Sequence, residues 1–283
     1  MIPIEPEPGN SGAGNRNFKR EFRLRRSSFF WTDLHLMTKI NWQIGCSGFH
    51  YKERKGIFYP ESLPQKEWFK FYTEKFNTLE LNVTFYRFPV LKSLQAWYDT
   101  APANFSFAVK VPRLITHYKK FSDCSRLIDD FYTLITKGLK EKLGPVLFQL
   151  PPKYIYTNER LDLIVKSMYK DFKNVIEFRD NSWWTDSVFS RLKKEKLIFC
   201  GIDYPGLPND AIITNQVVYY RFHGRPRLYY SAYKKSDLKI VADSIFANKK
   251  VTEANTLFNN TATYAAIKNA NTLKKYIGEQ SLK

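Results

Sequence analysis

Cysteine is scarce: Cys46, Cys124 and Cys200 are the only three in 283 residues, and no two form a CxxC pair. A disulfide framework is therefore excluded, and an odd number of scattered thiols in a lysine-rich chain predicts a reducing compartment, the cytoplasm. No apolar stretch is long enough to cross a bilayer, because Lys, Arg, Asp or Asn interrupts every run. The GxSxG, HExxH and Walker-type patterns are absent too, which removes three familiar hydrolase and nucleotide-binding chemistries. Acidic residues are few for the size, 27 against 45 Lys and Arg, leaving a net charge of +18. That excess attracts polyanions or acidic small molecules, although lysine-rich helix faces solvated by water account for part of it. What is plentiful is core material: 43% of residues are hydrophobic and 17% aromatic, enough to fill one large domain.

Residues 1–36 differ from the rest. Pro, Gly and Asn dominate as far as Asn17, and a basic run follows from Phe18 to Arg26. The run lacks the apolar region and cleavage site of a secretory signal, so it reads as a disordered basic leader. Met37 stands just ahead of the first strand-like segment and is a candidate translation start, which leaves 37–283 as one domain.

From Asn41 onward, short apolar runs alternate with helical patterns, as in βα units of a parallel sheet. Eight such runs are predicted: Trp42–Gly45, Thr78–Thr84, Phe105–Lys110, Val146–Leu150, Val175–Arg179, Leu197–Asp203, Val217–His223 and Thr256–Asn260. In the second, Leu79, Leu81 and Val83 share one face and Glu80, Asn82 and Thr84 the other. In the fifth, Glu177 and Arg179 point together away from Ile176 and Phe178, and in the seventh Arg221 and His223 point away from Tyr220 and Phe222. Helices are expected after Pro64, Ser122, Asn158, Thr185, Ser236 and Thr263, whereas Pro205, Gly206, Pro208 and Asn209 predict a loop between the sixth and seventh strands. The count and the span predict an α/β fold, a TIM-type (β/α)8 barrel; an open doubly wound sheet is the alternative.

Several fragments in order carry a family resemblance. They are Gly45-Cys46-Ser47-Gly48-Phe49-His50-Tyr51, Phe58-Tyr59-Pro60, Phe76-Asn77-Thr78-Leu79-Glu80-Leu81-Asn82 with Thr84-Phe85-Tyr86, and Phe148-Gln149-Leu150-Pro151-Pro152. Glu177-Phe178-Arg179 with Ser182-Trp183, Arg221-Phe222-His223-Gly224-Arg225 and Phe258-Asn259-Asn260-Thr261 complete the series. Together they resemble the YecE-like family of uncharacterised proteins over nearly everything after Met37. The resemblance implies a TIM-type barrel distantly similar to sugar isomerases and apurinic-site endonucleases, and implies no particular activity. Cys46 stands where the family pattern usually has Thr, and Asp180 where it often has His.

In such a barrel the site lies at the C-terminal ends of the strands. The inward residues expected there are Ser47, Glu80, Asn82, Lys110, Gln149, Glu177, Arg179, Asp203, Arg221, His223, Arg225, Asn259 and Asn260. Lys110, Arg179, Arg221 and Arg225 suit an anionic ligand, with Glu80, Asn82, Gln149, Asn259 and Asn260 completing the binding set. His223, Glu177 and Asp203 are the candidates for acid/base chemistry in an isomerase, lyase or hydrolase. The plainer reading is that Glu177 pairs with Arg179 or Arg221 merely to fill the barrel mouth. Glu177, Asp203 and His223 are also candidate ligands for a divalent metal, resembling the ring of ligands in the sugar-isomerase-like barrels, although nothing in the sequence requires one. Four histidines, with His35 ahead of the barrel, do not supply a multi-zinc cluster of the endonuclease kind. Phe49, Tyr51, Phe58, Tyr59, Tyr86, Trp183 and Trp184 either stack on a ligand at the mouth or pack within loops. Three functions remain open: an enzyme acting on an anionic or phosphorylated small molecule such as a sugar derivative, a nucleic-acid-binding protein, and a ligand-binding barrel without turnover.

Overall fold

The computed structural model describes residues 39–281, so the expected leader over 1–36 and the candidate start at Met37 lie outside the described residues. Eight parallel strands pair in chain order: β1 (Asn41–Ser47), β2 (Thr78–Leu81), β3 (Ser106–Lys110), β4 (Leu143–Gln149), β5 (Asn174–Glu177), β6 (Ile198–Asp203), β7 (Val217–Phe222) and β8 (Glu253–Phe258). β8 returns to pair with β1, so the sheet closes into a (β/α)8 barrel and has no free edges, unlike the doubly wound alternative. Around it lie α1 (Trp68–Lys75), α2 (Val83–Tyr86), α3 (Leu91–Thr100), α4 (Ser125–Leu139), α5 (Asn158–Lys166), α6 (Asp186–Lys194), α7 (Lys235–Phe246) and α8 (Ala265–Gln280). No helix among the described residues is long and apolar enough to cross a membrane.

Alternation along each strand builds two apolar layers. Leu79, Phe107, Val109, Phe148, Ile176, Phe199, Tyr220 and Phe222 join the cluster between barrel and helices. Ala108, Leu147, Val175, Ile198, Cys200, Ile202, Tyr219 and Leu257 form a second cluster inside the barrel. The interior is thus a packed core, with the charged groups gathered at the C-terminal strand ends above it and the amides of Gln43 and Asn255 at the other end. The close approach of β1 to β2 requires Gly45, since a Cβ there would lie 2.0 Å from the carbonyl oxygen of Thr78.

Several boundaries depart from the expected ones: β4 begins three residues early at Leu143, β5 ends at Glu177 and β8 at Phe258, each two residues early. β2 stops at Leu81 because the Thr84 hydroxyl turns back to donate to Leu81 O at 2.8 Å and to reach Lys110 O at 2.5 Å, which bends the chain into α2. α2 and α3 were not anticipated at all. β8 begins at Glu253 because its backbone pairs from there with Asn41 of β1 and Val217 of β7, so its polar first half is strand despite its composition. Helix starts fall nearer expectation: Thr185 and, one residue ahead of the expected Asn158, Thr157 cap α6 and α5 through their side-chain oxygens. The link between β6 and β7 carries no helix, as its prolines predict.

Candidate active site at the barrel mouth

Glu80, Lys110, Gln149 and Glu177 stand at or next to the last residues of β2 to β5, and Arg221 is the penultimate residue of β7. Arg179, His223 and Asn259 follow β5, β7 and β8 by one or two residues. Alternation turns this set inward, onto the apolar interior layer. There Arg221, fully buried, donates from Nη2 to Glu80 Oε1 at 2.6 Å and from Nη1 to Glu177 Oε2 at 2.5 Å. Arg179 Nε takes the other oxygen of Glu177 at 2.5 Å, and the Tyr219 hydroxyl donates to Glu80 Oε2 at 2.7 Å. Burial alone would push both carboxyls up, but Arg179 and Arg221 hold Glu177 well below the usual carboxylate range, and Arg221 with Lys110 holds Glu80 below it. Both are ionised, and the arginines are correspondingly raised.

Lys110 is the exception in this network. It is 8% exposed, its ammonium lies 3.9 Å from the centre of the Phe85 ring, and it makes no ion pair or side-chain hydrogen bond among the described residues. Burial and the neighbouring Arg221 push it down to about 7, against the weaker pull of Glu177 and Glu80. The mouth therefore holds three basic side chains, Lys110, Arg179 and Arg221, against two carboxylates, Glu80 and Glu177.

His223 is fully buried, with Asn259 Nδ2 donating to its Nδ1 at 2.9 Å and Glu177 Oε1 3.6 Å from its Nε2. Burial and the adjacent Arg179 push it down to about 3, so the ring is neutral near pH 7. His117, which the sequence did not single out, sits in a π-helical turn after β3, 3.4 Å from Gln149 Nε2, and burial with Lys110 nearby pushes it down to about 4. Tyr204 and Phe85 were missed likewise; the Arg179 guanidinium lies 4.3 Å from the Tyr204 ring centre. These residues lie beyond the strands, in a short helix, a π-helical turn and a loop, where period-two alternation gives no signal. Ser47 Oγ and Asn82 Oδ1 are buried without a hydrogen-bond partner.

Four expected members are placed elsewhere, or otherwise than expected. Asp203 follows the inward Ile202, so its carboxylate leaves on the outer face of the barrel, where Arg225 Nε meets it at 2.6 Å. The missing helix between β6 and β7 leaves a cavity of about 520 Å³ there, lined by Asp203, Asp210, Tyr220, Arg225, Tyr233 and Asp237. Arg225 also donates to the carbonyls of Tyr204 and Leu207, at 2.9 and 2.5 Å, and is fixed outside the interior network. Asn260, one position past Asn259, turns outward to Ser231 O at 2.9 Å and to Asn269 of α8 at 3.0 Å. Asn82 precedes α2 rather than ending a strand. Most of the expected aromatic platform is loop packing: Trp183 stacks on Phe178 at 4.1 Å and Tyr59 on Trp68 at 4.5 Å, both wholly buried.

The arrangement does not fit a divalent metal. Asp203 lies on the opposite face from Glu177 and His223, both Glu177 oxygens are taken by guanidinium groups, and no cluster of three His, Cys, Asp or Glu able to hold an ion occurs among the described residues. The donor set favours an anion instead.

Fold and mouth define the class, a (β/α)8 barrel with its polar groups gathered at the C-terminal strand ends. Residues 43–283 match the model of the protein of unknown function DUF72, and the chain belongs to that family. It is 27% identical over 199 residues to the UPF0759 protein YunF of Bacillus subtilis (strain 168), covering 64% of this chain and 70% of that protein. It is 29% identical over 83 residues to the UPF0759 protein YecE of Escherichia coli (strain K12), 29% of this chain and 30% of that one. Among solved structures, a DUF72 family protein from Thermotoga maritima MSB8 superposes with a TM-score of 0.77 at 26% identity, covering 84% of this chain and 99% of that one. A second, from Enterococcus faecalis V583, gives 0.73 at 20% identity over 84% and 95%, which bears on the fold.

Proposed function

We propose that the barrel mouth is an enzyme site for an anionic small molecule, phosphorylated or carboxylated, such as a sugar derivative. One observation carries this reading: Lys110 is buried beside two arginines without, among the described residues, a carboxylate of its own. An anion entering the mouth neutralises that imbalance, which water and the carboxylates already engaged do not. Arg179, Gln149, Asn82 and Asn259 stand where they can orient it. Glu177 and Glu80 serve to hold the arginines. His223, neutral and held at about 3, is suited to positioning, so the proton-carrying role expected of it moves to Lys110, whose affinity lies near 7. The buried free thiols Cys46, Cys124 and Cys200 support a cytoplasmic location.

Calorimetric titration with inorganic phosphate and with a sugar phosphate tests the reading. Binding that Lys110→Met weakens at least about tenfold, roughly 1.4 kcal/mol, is expected; equal binding by the variant removes the proposal.

A second reading has its own support. Arg113 lies 5.6 Å from the ring of exposed Tyr86 and 5.5 Å from that of exposed Tyr118, and Arg227 lies 3.9 Å from Tyr230, so cation-aromatic pairs stand on the loops after β2, β3 and β7. Such pairs suit a single nucleic-acid strand laid across the mouth. Binding of a labelled oligonucleotide at low salt, lost on R113E with R227E, would favour it; a barrel without turnover is the outcome if ligands bind and none is converted.

A further inference from the structure

Two lysines of this barrel are equally buried and differently used. Lys142 is 8% exposed, and its ammonium donates to the carbonyls of Tyr98 and Ala101, each at 2.7 Å. Lys110 is also 8% exposed, yet among the described residues its ammonium bonds to neither carbonyl nor carboxylate, and it rests on the face of Phe85. The first is tied into the fold. The second is held at the strand end, inside the charged mouth, with no structural partner to satisfy.

We propose that Lys110 is an amine nucleophile that forms an imine with the carbonyl carbon of an anionic aldehyde or ketone. The inference rests on the anion-binding reading above and names its substrate class. Arg179, bonded to Glu177 and stacked on Tyr204, is placed to take the anionic group of the substrate. The neutral amine adds to the carbonyl carbon, forming the C–N bond as the C=O π pair moves to oxygen. That oxygen takes up the nitrogen's proton, and the carbinolamine then loses hydroxide together with the second amine proton as water. The balance is amine plus carbonyl to imine plus water, with no oxidant or reductant. Burial favours the dehydration, since few waters compete for the intermediate.

The charged and titratable groups facing Lys110 set how much of it is free amine. Arg221 from β7 and Arg179 after β5 disfavour its ammonium form, Glu177 of β5 and Glu80 of β2 favour it, and His117 from the turn after β3 stays neutral. With an affinity near 7, about half of Lys110 is unprotonated at neutral pH. An ordinary exposed lysine, near roughly 10.4, is less than about 0.1% unprotonated there.

The test uses the full chain at pH 7 with glyceraldehyde 3-phosphate, reduction by sodium borohydride, and peptide mapping by mass spectrometry. The expected result is a reduced adduct at Lys110 at least about tenfold above the median of the other lysines, suppressed by inorganic phosphate and much weaker with unphosphorylated glyceraldehyde. K110R, which removes the primary amine, should lose the adduct. Labelling of Lys110 no greater than that of other lysines overturns the proposal. If phosphate still binds calorimetrically in that case, only the nucleophile fails; if phosphate does not bind, the anion site fails as well. The wild-type map needs no variant, so a poorly folding substitution leaves the result intact.

Discussion

Glu177 holds more of the interior charge than any other side chain, since Arg179, Arg221 and His223 all face its two oxygens. Its replacement by Gln leaves the buried Arg179 without its carboxylate and Arg221 with Glu80 alone, so Glu177→Gln should cost about 3–5 kcal/mol in urea unfolding. Arg225→Ala, which removes a one-third exposed guanidinium from the single carboxylate of Asp203 on the outer face, should cost less. His223 adds a pH dependence whose sign is fixed. Its folded affinity, about 3, lies below its ordinary 6.5, so the unfolded chain takes up a proton that the folded one refuses. Stability from this residue is complete above pH 6.5 and is lost as the pH falls toward 3; by pH 4 the loss is about 3 kcal/mol. Thermal unfolding from pH 7 to 4 should therefore be flatter in His223→Gln than in the parent. Equal slopes would contradict the burial of a neutral ring.

At the scale of elements, strand ends do the positioning and strand contacts set the tolerances. Gly45→Ala would force a Cβ against the backbone of Thr78 and should cost about 3 kcal/mol or more, visible as a lowered urea midpoint. The same regularity explains what the sequence made legible. Glu80, Lys110, Gln149, Glu177, Arg221 and His223 lie on strands or one residue beyond, where alternation holds, and all turn inward together. Asp203 breaks with them because it directly follows the inward Ile202, a parity visible in the sequence that the rise in polarity at the strand end obscured. Asn260 fails for the same one-residue reason. His117, Phe85 and Tyr204 were not legible, because their directions are set by a π-helical turn, a four-residue helix and a proline-rich loop rather than by strand period. The short helix α2 was hidden by Thr84, whose β-branched shape reads as strand while its hydroxyl ends one.

For the whole molecule, the net charge of +18 separates the two functional readings. A single small anion neutralising one buried imbalance should bind with a shallow salt dependence. A nucleic-acid strand contacting several basic groups should show log K falling with log salt by roughly 0.7 per phosphate engaged. The most direct test of the account is the titration of Lys110 itself, followed by NMR on lysine-labelled protein with K110R for assignment. An affinity near 7 that rises when inorganic phosphate is added is the expected result. An ordinary lysine value, near roughly 10.4 and unmoved by phosphate, would contradict a partnerless cation at the barrel mouth.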